Sequence, residues 1–201
     1  MNEDSEAYFI DVENIKKEES KYTFYGGVYH MNQIVNDNLS ETRKNLVHEI
    51  AELSNVQFNS KSEPDMWSIA QVCHHIVLVE ESTVKAIAWG LKENRSIQGE
   101  RKKIEHIILD RTKKLKAPKI VEPDEKSFEV QEIINLLNGS REKLLAFLST
   151  IEDQSILAEK SVKHPALGEI ALDQWIEQIY LHEQRHIVQI KEIKLLLEVK
   201  H

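Results

Sequence analysis

Four long stretches of the sequence place apolar residues at the spacing of an α-helix, and this pattern constrains the fold more than any other feature. The chain has only six glycines and four prolines, too few for an all-β sandwich with many tight turns. Long helices without a convincing strand pair predict an all-α fold, a four-helix bundle. The predicted helices cover residues 32–55, 68–91, 127–151 and 173–199.

The parts of the chain outside these helices lack a clear period. Residues 1–30 are predicted to be a short irregular extension, either partly disordered or holding a short hairpin, and residues 31–201 to be the bundle domain. Ser68 and Gln71 have the spacing of a capping box, which predicts where the second helix begins. A polar loop is expected before the last helix. Gly139 predicts a local kink in the third helix, because glycine weakens a helix.

The charge and the cysteine content exclude several classes of protein. Lys and Arg number 26 against 34 Asp and Glu, a net charge of −8, so we expect no nucleic-acid partner. No apolar run reaches the roughly 18–20 residues of a membrane span, so we expect no membrane partner. The single cysteine, Cys73, excludes an internal disulfide and is typical of the reducing cytoplasm, where we expect the protein. Cys73 itself is predicted to be a small core residue rather than a nucleophile.

Two of the nine histidines fall on the apolar stripe of the last helix. Residues four apart on a helix have β-carbons about 5–6 Å apart on one face, as two imidazoles need in order to share a metal ion. A metal and one further acceptor would also satisfy both nitrogens of each buried ring. The alternative is one exposed and one core histidine with ordinary hydrogen bonds. The stripe consists of Trp175, Ile179, His182, His186, Ile190, Ile193 and Leu197.

The segment HEQRH at 182–186 also matches the zincin string His-Glu-x-x-His, in which the glutamate, here Glu183, acts as general base. The match is weak, because the residues that follow lack the glycine and third histidine of the longer metzincin form. A third ligand must therefore come from elsewhere. The second helix offers His74 and His75 in a very apolar context, where an unpaired polar ring costs about 1–3 kcal/mol. Periodicity does not choose between them.

Taken in order, these motifs resemble those of the DinB/YfiT-like superfamily of metal-binding helical bundles, which includes the bacillithiol S-transferases. The resemblance runs from about residue 31 to the C-terminus and implies the same bundle for this chain. Each motif is unspecific alone, but the ordered set is specific. The set comprises Trp67-Ser68, His75-Ile76, HPALG at 164–168, Trp175, the pair His182 and His186, and Gln189-Ile190.

The resemblance implies a metal site with His75, His182 and His186 as ligands. It leaves His74 as the adjacent non-ligand and gives His164 a structural place or one at the rim of the site. It implies one divalent transition metal per chain, zinc or nickel foremost, with iron or manganese as alternatives, and no other cofactor. Arg185 and Glu80 are the first candidates for catalytic residues beside the metal. Further candidates for contacts around it are Gln71, Glu183 and Gln189.

The function that the resemblance implies is transfer of a small thiol of the bacillithiol type to a small electrophile, with the thiol activated on the metal. Three neutral imidazoles leave an open position on a divalent ion, which is typical of catalytic rather than structural sites. The alternatives are a metal-dependent hydrolase and a non-catalytic bundle that binds metal or serves in a stress response. Relatives are often homodimers, and we expect one here.

Overall fold

The structure is a computed structural model that describes residues 26–93, 96, 101–112 and 116–199, with side chains from residue 35 onward. The chain divides into two units, residues 1–34 and 35–201. Most of the predicted extension, residues 1–25, lies outside the described residues. The boundary between extension and bundle at residues 30 and 31 therefore stays a prediction.

Four long helices account for most of the described chain. They are α1 (Gly26–Ile50), α3 (Ile69–Lys92), α5 (Val130–Ser149) and α7 (Leu172–Glu198). Short helices lie between them: α2 (Asn55–Asn59), α4 (Ile104–Leu109), a 3-10 helix (Lys119–Val121) and α6 (Ile156–Glu159). Within the described residues, no helix has both the length and the apolar character needed to cross a bilayer.

The helix boundaries follow the predictions with one clear difference. The capping box is confirmed, since the amide of Gln71 donates to Ser68 Oγ and the amide of Ser68 donates to Gln71 Oε1. α5 continues through Gly139. α1, however, begins at Gly26 rather than at Asn32, so its first turns lie in the segment that we predicted to be irregular. That segment shows no apolar period from which helix could be predicted.

A β-hairpin replaces the polar loop expected before the last helix. Strands β1 (Ser161–His164) and β2 (Gly168–Ala171) pair antiparallel, with His164 opposite Gly168. A three-residue connection is commonly followed by a residue in the left-handed conformation, and Gly168, the first residue of β2, adopts it with φ 71°. The strands are too short for their alternation to be recognised in the sequence.

The core consists of two apolar clusters stacked along the bundle. The first includes Leu46, Val77, Leu137 and Ile187, and the second includes Leu39, Ile87, Leu144 and Leu181. Every long helix therefore contributes residues to both clusters. On each helix, a buried charged residue lies between the residues of the first cluster and those of the second. These residues are Arg43, Glu80, Arg141 and Glu183, and we call them the ion network.

The ion network joins the four long helices through direct contacts. Arg43 donates from Nε to Glu183 at 2.8 Å and from Nη2 to Glu80 at 2.9 Å. Arg141 donates from Nε to Glu80 at 2.5 Å and from Nη2 to Glu183 at 3.0 Å. Thr42 adds a 2.6 Å hydrogen bond to Glu183. Two positive and two negative charges thus balance in the interior, which fixes the rotation of each helix about its own axis.

Two helical glycines give a matched test of the packing. A β-carbon at Gly139 would meet nothing within 4 Å, whereas one at Gly90 would lie 2.6 Å from side-chain atoms of both Leu172 and Val162. We expect Gly139→Ala to raise the free energy of unfolding by about 0.5–1 kcal/mol. Gly90→Ala should lower it by about 1–3 kcal/mol, because the added methyl overpacks the core. Urea unfolding measures both, and equal effects of the two substitutions would contradict the packing described.

Candidate metal centre

Three histidine side chains meet between α3 and α7. His75 comes from α3, and His182 and His186 come from successive turns of α7. One ring nitrogen from each lies within 4.8 Å of the other two. The Nε2 atoms of His182 and His186 are 3.1 Å apart. The ring centroid of His75 lies 5.1 Å from each of the other two centroids.

The outer nitrogens of two of these rings have partners that fix their orientation. His75 Nδ1 lies 2.7 Å from the carbonyl oxygen of Val121. A carbonyl only accepts, so Nδ1 must carry the proton and Nε2 of His75 is left with a free lone pair. His186 Nδ1 lies 2.8 Å from Gln189 Oε1 in the same way. Both rings therefore turn an unprotonated nitrogen toward the centre of the cluster.

Burial keeps the three rings in the neutral form that binds metal. Burial lowers the pKa of His75, and it lowers that of His182 further, with help from the adjacent His186. Burial and the neighbouring His75 lower the pKa of His186 to about 3. Protonation would not compete with a metal ion at neutral pH, since each ring would have to gain its charge in the core.

The donor set fits a divalent transition metal. Nitrogens that bind zinc tetrahedrally at about 2.0–2.1 Å lie about 3.3 Å from one another, close to the separation of 3.1 Å seen for His182 and His186. Imidazole nitrogen suits zinc, nickel, iron and copper, so the ligands do not identify the ion. Among the described residues, these histidines form the one group of three or more potential ligands. The group includes no carboxylate or thiol, which leaves positions open for a small molecule.

The other histidines singled out in the sequence point elsewhere. His74 Nδ1 accepts from the amide of Asp124 at 3.1 Å, and its ring packs on Phe128 at 4.8 Å. His164 Nδ1 accepts from the amides of Ala166 and Leu167 at 3.1 Å each, which closes the turn of the hairpin. The ring of His164 packs on Trp175 with centroids 4.7 Å apart. Neither ring belongs to the three-histidine group.

Glu183 does not face the histidines that flank it in the sequence. Its carboxylate accepts from Thr42, Arg43 and Arg141, and the residue is 0% exposed. A general base must reach the substrate or the attacking water, and a carboxylate held in the ion network does neither. The segment HEQRH therefore places two histidines toward the cluster, but its glutamate does not have the position of the general base in zincins.

The two predicted catalytic residues both have structural contacts. Burial raises the pKa of Glu80, but the charges of Arg43 and Arg141 outweigh it, and the net pKa lies below the ordinary value. Glu80 is thus an ionised member of the ion network. Arg185 donates from Nη1 to the carbonyls of Ile108 at 2.8 Å and Asp110 at 2.6 Å. A catalytic role for either residue stays a prediction.

Sequence reasoning missed most of the residues that support the site. Gln189 was expected near the metal and contacts His186. The contact of the Val121 carbonyl is made by the backbone, so no residue type in the sequence indicates it. Arg43 and Arg141 have the sequence context of ordinary surface charges on their helices. Cys73 is 0% exposed, as expected of a core residue, and burial raises the pKa of its thiol. The protein itself thus offers no thiolate for catalysis.

Comparisons with known proteins agree with this architecture. A family model described as the DinB superfamily matches residues 38–190. The chain is 30% identical over 159 residues to the uncharacterized protein YuaE of Bacillus subtilis (strain 168), which covers 79% of this chain and 96% of YuaE. Among solved structures, TT2238, a four-helix bundle protein, superposes with a TM-score of 0.53 at 18% identity, over 80% of this chain and 98% of that one.

A second solved structure is YfiT from Bacillus subtilis, described as a probable metal-dependent hydrolase with an unusual four-helix bundle topology. It superposes with a TM-score of 0.57 at 16% identity, over 98% of this chain and 95% of that one. At these identities the two structures bear on the fold alone, and they confirm the predicted four-helix bundle.

Removing the charge of Glu183 tests whether it is structural. Glu183→Gln leaves two buried arginines with one carboxylate between them, so we expect a loss of about 3–5 kcal/mol in the free energy of unfolding. Glu177→Gln is the matched control on the same helix. Glu177 pairs with Arg101 nearer the surface, with side chains 23% and 46% exposed, and its loss should cost at most about 1 kcal/mol. Wild-type stability of Glu183→Gln in urea unfolding would contradict the assignment.

Proposed function

The chain belongs to the DinB superfamily, and from that premise we propose that it is a metal-dependent enzyme whose ion is held by His75, His182 and His186. The observation that carries the proposal is the convergence of three neutral imidazoles with no carboxylate or thiol of the described chain among them. A divalent ion there would act as a Lewis acid that lowers the pKa of a water or thiol in its open position.

The chain's own residues prepare the site in three ways. The carbonyl oxygen of Val121 and the side-chain oxygen of Gln189 accept from Nδ1 of His75 and His186, which holds both rings with Nε2 inward. The ion network sets the rotation of α7, so that Glu183 and the histidines beside it point in different directions. Trp67 lies with its ring centroid 5.0 Å from that of His75 and covers one side of the cluster.

Transfer of a small thiol is the activity that this arrangement supports best. Hydrolysis of the zincin type needs a general base, and Glu183 is committed to the ion network. A thiol bound to a metal ion needs no such base, because the ion lowers the pKa of the thiol and the thiolate is itself the nucleophile. In the proposed reaction the thiol would release its proton to water, its sulfur would form a bond to carbon, and the leaving group would depart as an anion with the electron pair of the broken bond. Cys73 takes no part.

A metal-dependent hydrolase is the second candidate. It is favoured by the fold shared with YfiT, a probable metal-dependent hydrolase. Water would then occupy the open position in place of a thiol. Zinc or nickel as the ion, a cytoplasmic location and a homodimer stay predictions. In support of the dimer, Val188 and Leu195 of α7, and Val199 directly after it, expose apolar surface that a second copy would cover.

Metal analysis of the purified protein tests the ligand set. We expect about one divalent ion per chain, its loss in His182→Ala and His186→Ala, and a much weaker site in His75→Ala. His74→Ala is the matched control and should retain the metal, because His74 points toward Asp124 and Phe128. A chelator should lower the melting temperature, since the ion links α3 to α7. Unchanged metal content in His75→Ala would overturn the ligand set.

The reaction is tested with a panel of thiols, including bacillithiol, glutathione and cysteine, against a haloalkane or an aryl chloride. We expect the metal-loaded protein to accelerate the reaction, with a pH profile displaced below the free thiol's pKa of about 8.5. His182→Ala should abolish the rate, whereas Cys73→Ser should leave it nearly intact because that thiol is buried. A metal-loaded protein inactive across the panel would exclude the transferase and leave the hydrolase.

A further inference from the structure

One buried hydrogen-bond donor at the start of α3 has no acceptor. Gln71 lies in the first turn of this helix and is 3% exposed. Its Oε1 accepts from the backbone amide of Ser68 at 3.1 Å. Because a backbone amide only donates, the atom that faces Ser68 must be the oxygen, and the NH2 group lies on the other side of the side-chain amide. That nitrogen, Nε2, is buried and has no hydrogen-bond partner among the residues that the structure describes.

Gln71 lies on the same face of α3 as His75. Residues four apart on a helix have β-carbons about 5–6 Å apart, and helical side chains lean toward the N-terminus, so the His75 side chain extends toward the turn of Gln71. The ring of Trp67 packs on the ring of His75 with centroids 5.0 Å apart. Gln71 is midway between these two residues in the sequence, four from each. The two rings in contact therefore lie alongside the turn of Gln71, which places its amide beside the histidine cluster.

Helix capping accounts for only one half of this side chain. The capping box needs an oxygen at this position, and a glutamate would supply one without adding a donor. An unpaired donor in the interior is unfavourable, because it has lost its hydrogen bonds to water. The NH2 group of an amide is a donor only, so Nε2 is not a further ligand of the metal ion. It is suited instead to donate to an acceptor atom on the molecule that fills the open position of the ion.

We propose that Gln71 binds the molecule taken by the metal centre, with Nε2 donating a hydrogen bond to an acceptor atom next to the atom bound to the ion. The proposal rests on the proposed function, since it describes the molecule that the same site takes. It narrows the class of that molecule to those with an oxygen acceptor, such as a carbonyl or a carboxylate, close to the metal-binding atom. The bond to Ser68 holds the amide in place beforehand, so little entropy is lost when the molecule binds.

The test compares two small ligands that differ in the atom beside the metal-binding atom. The full-length protein is loaded with cobalt(II), and acetate and imidazole are titrated separately against the visible absorption of the ion. Acetate bound through one oxygen presents the other as an acceptor, whereas imidazole bound through one nitrogen presents only an N–H donor. We expect Gln71→Met to weaken acetate binding about tenfold, the effect of one hydrogen bond to a charged group, and to leave imidazole binding unchanged.

Two further variants separate binding by Gln71 from its part in the helix cap. Ser68→Ala is the matched control, because it removes the other hydrogen bond of the capping box and leaves the Gln71 side chain intact. It should bind both ligands as the wild type does. Gln71→Glu keeps an oxygen for the Ser68 amide, so it preserves the cap even if Gln71→Met does not fold. It should also lose acetate affinity, because a carboxylate at this position repels acetate or occupies the open position itself. Cobalt content is measured for every variant.

The outcomes distinguish this inference from the proposed function. Failure of the wild type to bind cobalt would overturn the metal centre, and the inference with it. Wild-type affinity for acetate in cobalt-loaded Gln71→Met or Gln71→Glu would leave the metal centre standing and overturn the role of Gln71. Equal weakening of acetate and imidazole in Gln71→Met, or the same loss of acetate affinity in Ser68→Ala, would show that Gln71 acts through the helix cap alone and would also overturn the inference.

Discussion

The whole architecture depends on the buried ion network of Arg43, Glu80, Arg141 and Glu183. Each long helix brings one charge into the interior, and an uncompensated buried charge would cost several kcal/mol. Pairing all four charges requires that they lie at the same level of the bundle, as they do here. The apolar clusters above and below are permissive by comparison, because apolar contacts tolerate small rotations and shifts that a charged network does not. The network thus sets the rotation of each long helix, and the directions of the other side chains on these helices follow from it.

The candidate metal centre takes its geometry from this network. Glu183 lies between His182 and His186 in the sequence, so fixing its carboxylate also fixes the direction of both imidazoles. On α3, Glu80 follows His75 by five residues and sets that helix in the same way. The site is therefore held from outside as well as by the contacts of Val121 and Gln189. The segment matches a zincin motif, but its residues have other roles here. Glu183 joins the helices in the ion network, and His182 and His186 face the candidate metal site.

Local patterns in the sequence were sufficient for the four long helices, apart from the first turns of α1, and for the two histidines of α7. Helical periodicity reports which face of a segment is buried, so it placed His182 and His186 inside. The ion network could not be found in this way, because its partners are far apart in the chain. Arg43 and Glu183, for example, are separated by 140 residues. The contact of the Val121 carbonyl with His75 and the short hairpin could not be predicted for a related reason. Backbone hydrogen-bond partners and four-residue strands leave almost no pattern in the sequence. The choice of His75 over His74 came from the ordered motifs and not from periodicity.

The burial of Cys73 has a further consequence for the proposed transfer of small thiols. A protein with this activity meets its substrate together with the oxidised, disulfide form of that substrate, and an accessible cysteine would exchange with it and become capped. Cys73 is the one cysteine in the sequence, and it is completely enclosed by the first apolar cluster. In the proposed enzyme, a reactive position on a metal ion together with a buried Cys73 would leave no accessible protein thiol to be capped.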